Sequence, residues 1–170
     1  MESKENLEVW MRGPVDSVPA LLQPVAHALL QVQEEIPRYL MNFPEEKLWD
    51  KPAGLASVGF HLQHIRGVID RLFTYARGEM LNEDQLRYLS QEGIENPDIT
   101  LESLVSDLKT QIQEAITRLK GTDSARLTEA RGIGRKQIPT TLLGLLFHAA
   151  EHSQRHTGQL LVTAGMLKAG

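Results

Sequence analysis

The recurrence of apolar residues every three to four positions is the feature that most limits how this chain can fold. Four segments carry it, running from about Val18 to Tyr39, Ser57 to Ala76, Thr100 to Lys120 and Thr140 to Ala164. No segment of comparable length alternates apolar and polar residues as a half-buried strand does. The pattern predicts four amphipathic helices whose apolar stripes meet in one core.

Two of the connections between these segments are long and polar. Residues 79–99 contain Asn82, which is placed to cap a short helix, and residues 122–139 contain Gly132 and Gly134. The 170 residues suit one hydrophobic core, and no internal repeat or domain boundary interrupts them. We therefore expect an all-α fold, a four-helix bundle with long crossover connections, forming a single domain over residues 1–170.

Charge and composition narrow the range of partners. A formal net charge of −4 leaves no basic surface for phosphates, so we expect no nucleic acid. The chain has no cysteine, which excludes disulfides, thiolate metal ligands and cysteine nucleophiles. The most apolar stretch, Leu142 to Ala150, is far shorter than the roughly 20 residues that cross a bilayer. Met1 to Asn6 lack the pattern of an export signal, so we expect a cytoplasmic protein without membrane contact.

Histidines at helical spacing are the main candidates for chemistry. His148, His152 and His156 follow one another every four residues in the last predicted helix, so neighbours share a face. The outer two would be about 12 Å apart, which allows only one adjacent pair to bind a common ion. A third imidazole must come from another helix, and the second predicted helix offers His61 and His64.

A site of three imidazoles would leave coordination positions open for water or substrate. The alternative is a set of half-buried histidines that bond to backbone carbonyls. Because two clusters lie in separate amphipathic segments, where an unpaired imidazole is costly to bury, the metal site is the favoured interpretation. Imidazole suits zinc, nickel, copper and iron alike, so the residues themselves do not select the ion.

The segment His148-Ala-Ala-Glu151-His152 resembles an inverted metallopeptidase motif. Glu151 would point about 100° away from His152 on a helix, so a surface charge is the preferred interpretation of this glutamate. We expect His148 to be a core residue or to lie just outside the metal ligands. His27 stands alone on the first helix and is assigned to the surface or to packing.

Three basic residues lie close to the last helix. Arg135 and Lys136 precede it in a glycine-containing loop, and Arg155 lies within it. Each has the chemistry to bind an anionic group of a substrate, but solvated surface charge is the interpretation favoured by the sequence.

Two stretches resemble the DinB/YfiT superfamily. They are Ser57-Val-Gly-Phe-His-Leu-Gln-His64-Ile65 and His152-Ser-Gln-Arg-His156-Thr-Gly-Gln159, and the tryptophan-containing loop from Trp49 to Gly54 precedes the first. The resemblance covers most of the chain. It implies a four-helix bundle, often dimeric, in which three histidines hold a divalent metal such as nickel or zinc.

Carried over residue by residue, the resemblance assigns the metal ligands to His64, His152 and His156. His61 lies three residues before His64 and remains an alternative to it. The resemblance also gives no reason to expect DNA binding.

Members of that superfamily include thiol transferases that use bacillithiol or mycothiol, a thiol-dependent isomerase and metal-dependent hydrolases. We therefore expect a divalent ion that activates a low-molecular-weight thiol or water towards a small-molecule substrate, as in a thiol S-transferase. The alternatives are a metal-dependent hydrolase of an ester or amide, and a bundle that binds or senses metal without catalysis. The broad apolar stripes of the first and third helices also predict a homodimer.

Overall fold

A computed structural model of the protein describes residues 7–169. Met1 to Asn6, whose composition argued against an export signal, lie outside the described residues. The described part contains these α-helices and strands: α1 (Gln23–Tyr39), α2 (Val58–Ala76), α3 (Glu83–Gln91), α4 (Leu101–Lys120), β1 (Ala130–Ile133), β2 (Ile138–Thr141) and α5 (Leu142–Ala169). None of the helices in residues 7–169 is both long and apolar enough to span a bilayer.

Four of the helices form the predicted bundle. Helix α2 packs against α4 and α5, and α1 packs against the same two helices. The bundle interior is filled by aliphatic side chains with almost no exposed surface, among them Leu22, Leu29, Ile36, Leu62, Ile65, Ile69, Leu108, Ile112, Leu119, Leu145 and Leu146. The remaining helix, α3, belongs to the long connection between α2 and α4 and buries none of its own residues.

Polar caps set the starts of three helices where the sequence predicts them. The Ser57 hydroxyl accepts a hydrogen bond from the backbone N–H of Phe60 at 3.1 Å and so begins α2. Asn82 and Thr100 each form a reciprocal capping box, at the starts of α3 and α4. The Ser57 cap matters most for the site, because it fixes where α2 directs the histidines of its first two turns.

The last helix is longer than predicted. The apolar pattern predicted an end near Ala164, followed by Gly165, but α5 continues through Gly165 to Ala169. A glycine inside a helix costs only about 1 kcal/mol relative to alanine, and the buried Leu167 beyond it contributes a comparable or larger hydrophobic stabilisation. At the other end of the chain, α1 begins at Gln23 rather than near Val18, because residues 20–22 form a 3₁₀ turn.

The connection between α4 and α5 contains a small β-hairpin where the sequence predicts a loop. Strands β1 and β2 pair antiparallel, with Arg131 opposite Thr140. The Arg131 side chain ties the hairpin to the bundle, donating to the carbonyl of Ala76 at 2.8 Å and to Glu129 at 2.9 Å. Strands of four residues are too short to show an alternating pattern in the sequence, which is why the hairpin was not predicted.

Candidate metal centre

Three histidines from two helices converge in the bundle. His64 of α2 and His152 and His156 of α5 each offer one nitrogen, and these nitrogens all lie within 4.8 Å of one another. The Nε2 atoms of His64 and His152 are 2.9 Å apart. The ring centroid of His156 lies 4.5 Å from that of His64 and 4.6 Å from that of His152. The structure thus brings together the three residues predicted as metal ligands.

A buried ion pair between Glu92 and Arg71 contacts the imidazole of His64 at Nδ1. His64 Nδ1 lies 2.7 Å from Oε2 of Glu92, and the other carboxylate oxygen accepts from Arg71 at 2.5 Å. The side chains of Glu92 and Arg71 are only 4% and 10% exposed. A carboxylate on Nδ1 fixes the ring orientation and keeps Nε2 as the nitrogen that faces the other histidines.

The connection after α2 carries Glu92 to this position. The backbone N–H of Gly93 donates to the side-chain oxygen of Gln63 at 2.7 Å, and the Tyr88 hydroxyl donates to the Gln63 carbonyl at 3.2 Å. Gly67 leaves the space that the ion pair fills, since a Cβ atom there would overlap the carboxylate of Glu92. Sequence reasoning missed Glu92 because it lies 28 residues from His64 in a polar connection, where nothing marks one glutamate among several.

His61 lies beside this group without joining it. The side chain is buried, with the residue 3% exposed, and its Nδ1 is 3.0 Å from Nδ1 of His156. At that distance one ring donates and the other accepts, and the tautomers decide which. The residue of α2 in the converging group is therefore His64, and His61 contacts Nδ1 of His156.

Burial and mutual repulsion keep several of these imidazoles neutral. Burial, then repulsion from His64, lowers the pKa of both His61 and His152 to about 4. Burial, then repulsion from the surrounding histidines, lowers the pKa of His156 to about 3. A neutral imidazole retains the lone pair that a metal requires, so these rings are ready to bind a cation at neutral pH.

The donor set fits a divalent ion. Nδ1 of His152 is buried without a hydrogen-bond partner among the described residues, an arrangement that costs about 1–3 kcal/mol. Because Nδ1 of His64 faces the Glu92 carboxylate, Nε2 of His64 presents a lone pair to Nε2 of His152 at 2.9 Å, and a shared cation would suit two such nitrogens. The ring of Phe60 stacks on His64 with centroids 5.0 Å apart, which further restricts the orientation of that imidazole.

A protein-family model described as the DinB superfamily matches residues 28–160 of the chain. The chain belongs to the DinB superfamily. The match includes α2 and the part of α5 that carries His152 and His156, and it confirms the family resemblance seen in the sequence motifs. No curated protein matches the chain.

A second group of three donors lies on the outer face of α5 in this DinB-superfamily chain. His148, Glu151 and His152 also offer ligand atoms within 4.8 Å of one another. His148 is not a core residue, because its side chain is 47% exposed and pairs with Glu151 at 2.6 Å. Its ring centroid lies 5.2 Å from that of His152, so it does lie just outside the predicted ligands, which was the other expected position. Glu151 is a surface charge as predicted, since it also accepts from Arg155 at 2.6 Å.

The remaining histidine lies away from both groups. His27 of α1 is 3.1 Å from the carbonyl of Gly13 and takes no part in the converging cluster. This agrees with its assignment to the surface.

Proposed function

We propose that this protein is a divalent-metal-dependent enzyme that activates a low-molecular-weight thiol for transfer to a small electrophilic substrate. The observation that carries the proposal is the convergence of three imidazole nitrogens from two helices. A cavity of about 420 Å³ lies next to this group through His61, which lines the cavity and contacts His156. Three protein ligands leave coordination positions free for other molecules, whereas a structural site is closed by four. Nickel and zinc are the ions that we favour, because imidazole suits both and the resemblance to the superfamily implies them.

His64, His152 and His156 would hold the ion. When bound, the ion supplies the Lewis acidity that lowers the pKa of a thiol or of water. Glu92 orients His64 by accepting a hydrogen bond from its Nδ1–H. Arg71 balances the charge of Glu92, so the carboxylate is not an isolated buried anion. His61 contacts Nδ1 of His156 at 3.0 Å and so restricts the orientation of that ring.

The surroundings of Glu151 support a thiol rather than water as the nucleophile. Hydrolysis at a metal site generally uses a nearby carboxylate as the base that takes a proton from water. Two carboxylates lie close to the candidate ligands, and both are engaged already. Glu92 pairs with His64 and Arg71, and Glu151 pairs with Arg155 and His148. A thiol needs less help, because its pKa of about 8.5 is much closer to neutrality than that of water.

Metal analysis is the first test. Protein purified without a polyhistidine tag should retain about one nickel or zinc ion per chain after dialysis against buffer without metal. A protein that binds no divalent ion stoichiometrically, even after incubation with zinc or nickel, would contradict the proposal.

Activity is the second test. The metal-loaded protein should accelerate the reaction of bacillithiol, mycothiol or a simpler thiol with an electrophile such as 1-chloro-2,4-dinitrobenzene, and metal removal should abolish the effect. Turnover of esters or amides without any thiol would instead indicate a metal-dependent hydrolase. Stoichiometric metal without turnover in either assay would favour a metal-binding or sensing bundle.

A further inference from the structure

A cavity of about 420 Å³ adjoins the candidate metal centre on the side of His61. Its described lining comprises Leu55, Ala56, His61, Arg155, Gln159 and Val162, together with Gly158 and Thr163. His61 therefore belongs both to the cavity wall and to the hydrogen bond with His156. Volumes of about 300–1,000 Å³ are typical of small-molecule sites.

The walls of this cavity are apolar at the sides and cationic at one point. Leu55 and Val162 are 44% and 56% exposed, so both present apolar surface to the cavity. Arg155 is the charged residue of the lining, and none of the described lining residues is acidic. Gly158 adds open space to the α5 wall, since a Cβ atom there would have no neighbour within 4 Å.

Arg155 has hydrogen-bond donors to spare. One terminal nitrogen donates to Glu151 at 2.6 Å, and that carboxylate is shared with His148. A guanidinium has five N–H donors in a planar fork that matches a carboxylate, so a ligand can bind to the remaining edge. Arg135 and Lys136, the other two basic residues noted in the sequence, lie instead in the turn between β1 and β2 and do not line the cavity.

We propose that this cavity binds a small molecule that carries a carboxylate and a short apolar body. The carboxylate pairs with Arg155, and the apolar body lies between Leu55 and Val162, which brings the ligand alongside His61 and the metal ligands. The role of this molecule as the electrophilic substrate rests on the proposed function. Its binding in the cavity does not.

The test uses three ligands of one shape and different charge. Binding of 3-phenylpropionate, 3-phenylpropionamide and 3-phenylpropylamine is measured by isothermal titration calorimetry, with zinc-loaded and with metal-free protein. The carboxylate should bind at least about tenfold more tightly than the amide or the amine, because it alone forms a charge-assisted bond with Arg155. Its binding should persist without metal.

Four variants locate the site. Arg155→Gln should reduce the affinity for the carboxylate to that for the amide, while Arg38→Gln, at an exposed arginine of α1, should leave it unchanged. Val162→Trp should weaken all three ligands by filling the cavity. Glu151→Gln should strengthen carboxylate binding about two- to threefold, since it releases the guanidinium from its present partner.

Three outcomes would overturn the inference: no saturable binding, equal affinity for the carboxylate and the amide, or binding that needs metal but not Arg155. The last would mean that the carboxylate binds the ion directly. A protein that lacks stoichiometric metal but binds the carboxylate through Arg155 would contradict the proposed function while upholding the cavity as a ligand site.

Discussion

Two groups of three potential metal ligands share His152, and they differ in the segments that supply the other residues and in the exposure of those residues. The inner group draws His64 from α2 and His156 from α5, and Glu92 supports it from a third segment. The outer group of His148, Glu151 and His152 comes from α5 alone. In both, the candidate ligand atoms lie within 4.8 Å of one another. Proximity of donors therefore does not distinguish a metal centre from a surface cluster.

The surroundings of the donors make the distinction. The inner imidazoles are all partly covered, and Glu92, with a side chain only 4% exposed, holds one of them in place. In the outer group, Glu151 already neutralises Arg155, and the side chain of His148 is 47% exposed. An ion in the outer group would have to displace an existing ion pair and order exposed side chains, so we expect it to bind there far more weakly.

The largest expected effect comes from removing one ligand from each group. His64→Ala should weaken zinc or nickel binding more than about 100-fold, beyond the 10- to 100-fold typical of changes outside the ligands. His148→Ala should leave the affinity unchanged. Competition with a chromophoric chelator measures both, and circular dichroism checks that helical content is retained.

His27→Ala is the matched control, because that histidine lies outside both groups. If His148→Ala lost the metal and His64→Ala retained it, the assignment of the inner group would be reversed.

The second-largest expected effect comes from replacing the carboxylates that contact the donor histidines. Glu92→Gln should weaken metal binding about 10- to 100-fold, since it removes the anion that orients His64. Glu151→Gln, the corresponding change in the outer group, should have little effect on the metal. The thermal stability of each metal-free variant should be recorded beside its affinity, because Glu92 also neutralises the buried Arg71. Equal losses of affinity in the two variants would contradict the inner assignment.

The bundle was predictable because its determinants are local. Apolar spacing and the side chains of Ser57 and Thr100 act within a few residues, so the sequence alone indicates where α2 and α4 begin. The end of α5 was not predictable in this way, because it is decided by the burial of Leu167 in the tertiary fold rather than by Gly165.

The site was predictable in part. Spacing on one helix indicated that His152 and His156 share a face, but it did not decide between His61 and His64, which lie three residues apart on another helix. The family resemblance favoured His64, and it is His64 that the structure brings within 4.8 Å of His152 and His156. The role of Glu92 could not be predicted from the sequence, because its position depends on how the α2–α4 connection folds back onto the bundle.

The histidines His61, His152 and His156 also predict how the stability of the metal-free protein depends on pH. The pKa values of His61, His152 and His156 are lowered to between about 3 and 4, below the value near 6.5 expected in the unfolded chain. Between these values the unfolded state binds more protons, so the free energy of unfolding falls as the pH falls from about 6.5 towards 4. Urea denaturation at a series of pH values measures this slope.

Replacing one of these histidines should flatten the slope. His156→Gln removes one ring whose protonation is suppressed in the folded state, so its urea midpoint should change less between about pH 7 and pH 4.5 than that of the unaltered protein. His27→Gln serves as the control. A midpoint in the unaltered protein that does not fall over this range would show that the inner imidazoles are not suppressed as described.

The smallest expected effect comes from filling the space at Gly67 that the Glu92–Arg71 pair occupies. Among the described residues, the outer group has no corresponding ion pair packed against a glycine. Gly67→Ala introduces a Cβ that would overlap the Glu92 carboxylate and meet Arg71, so the ion pair that contacts His64 must shift. Overpacking of this kind typically costs about 1–3 kcal/mol of stability. Gly165→Ala in α5 meets nothing within 4 Å and should be neutral or stabilising by up to about 1 kcal/mol. If Gly67→Ala matched Gly165→Ala in both thermal stability and metal affinity, the fit of the Glu92–Arg71 pair against α2 would not be what orients His64.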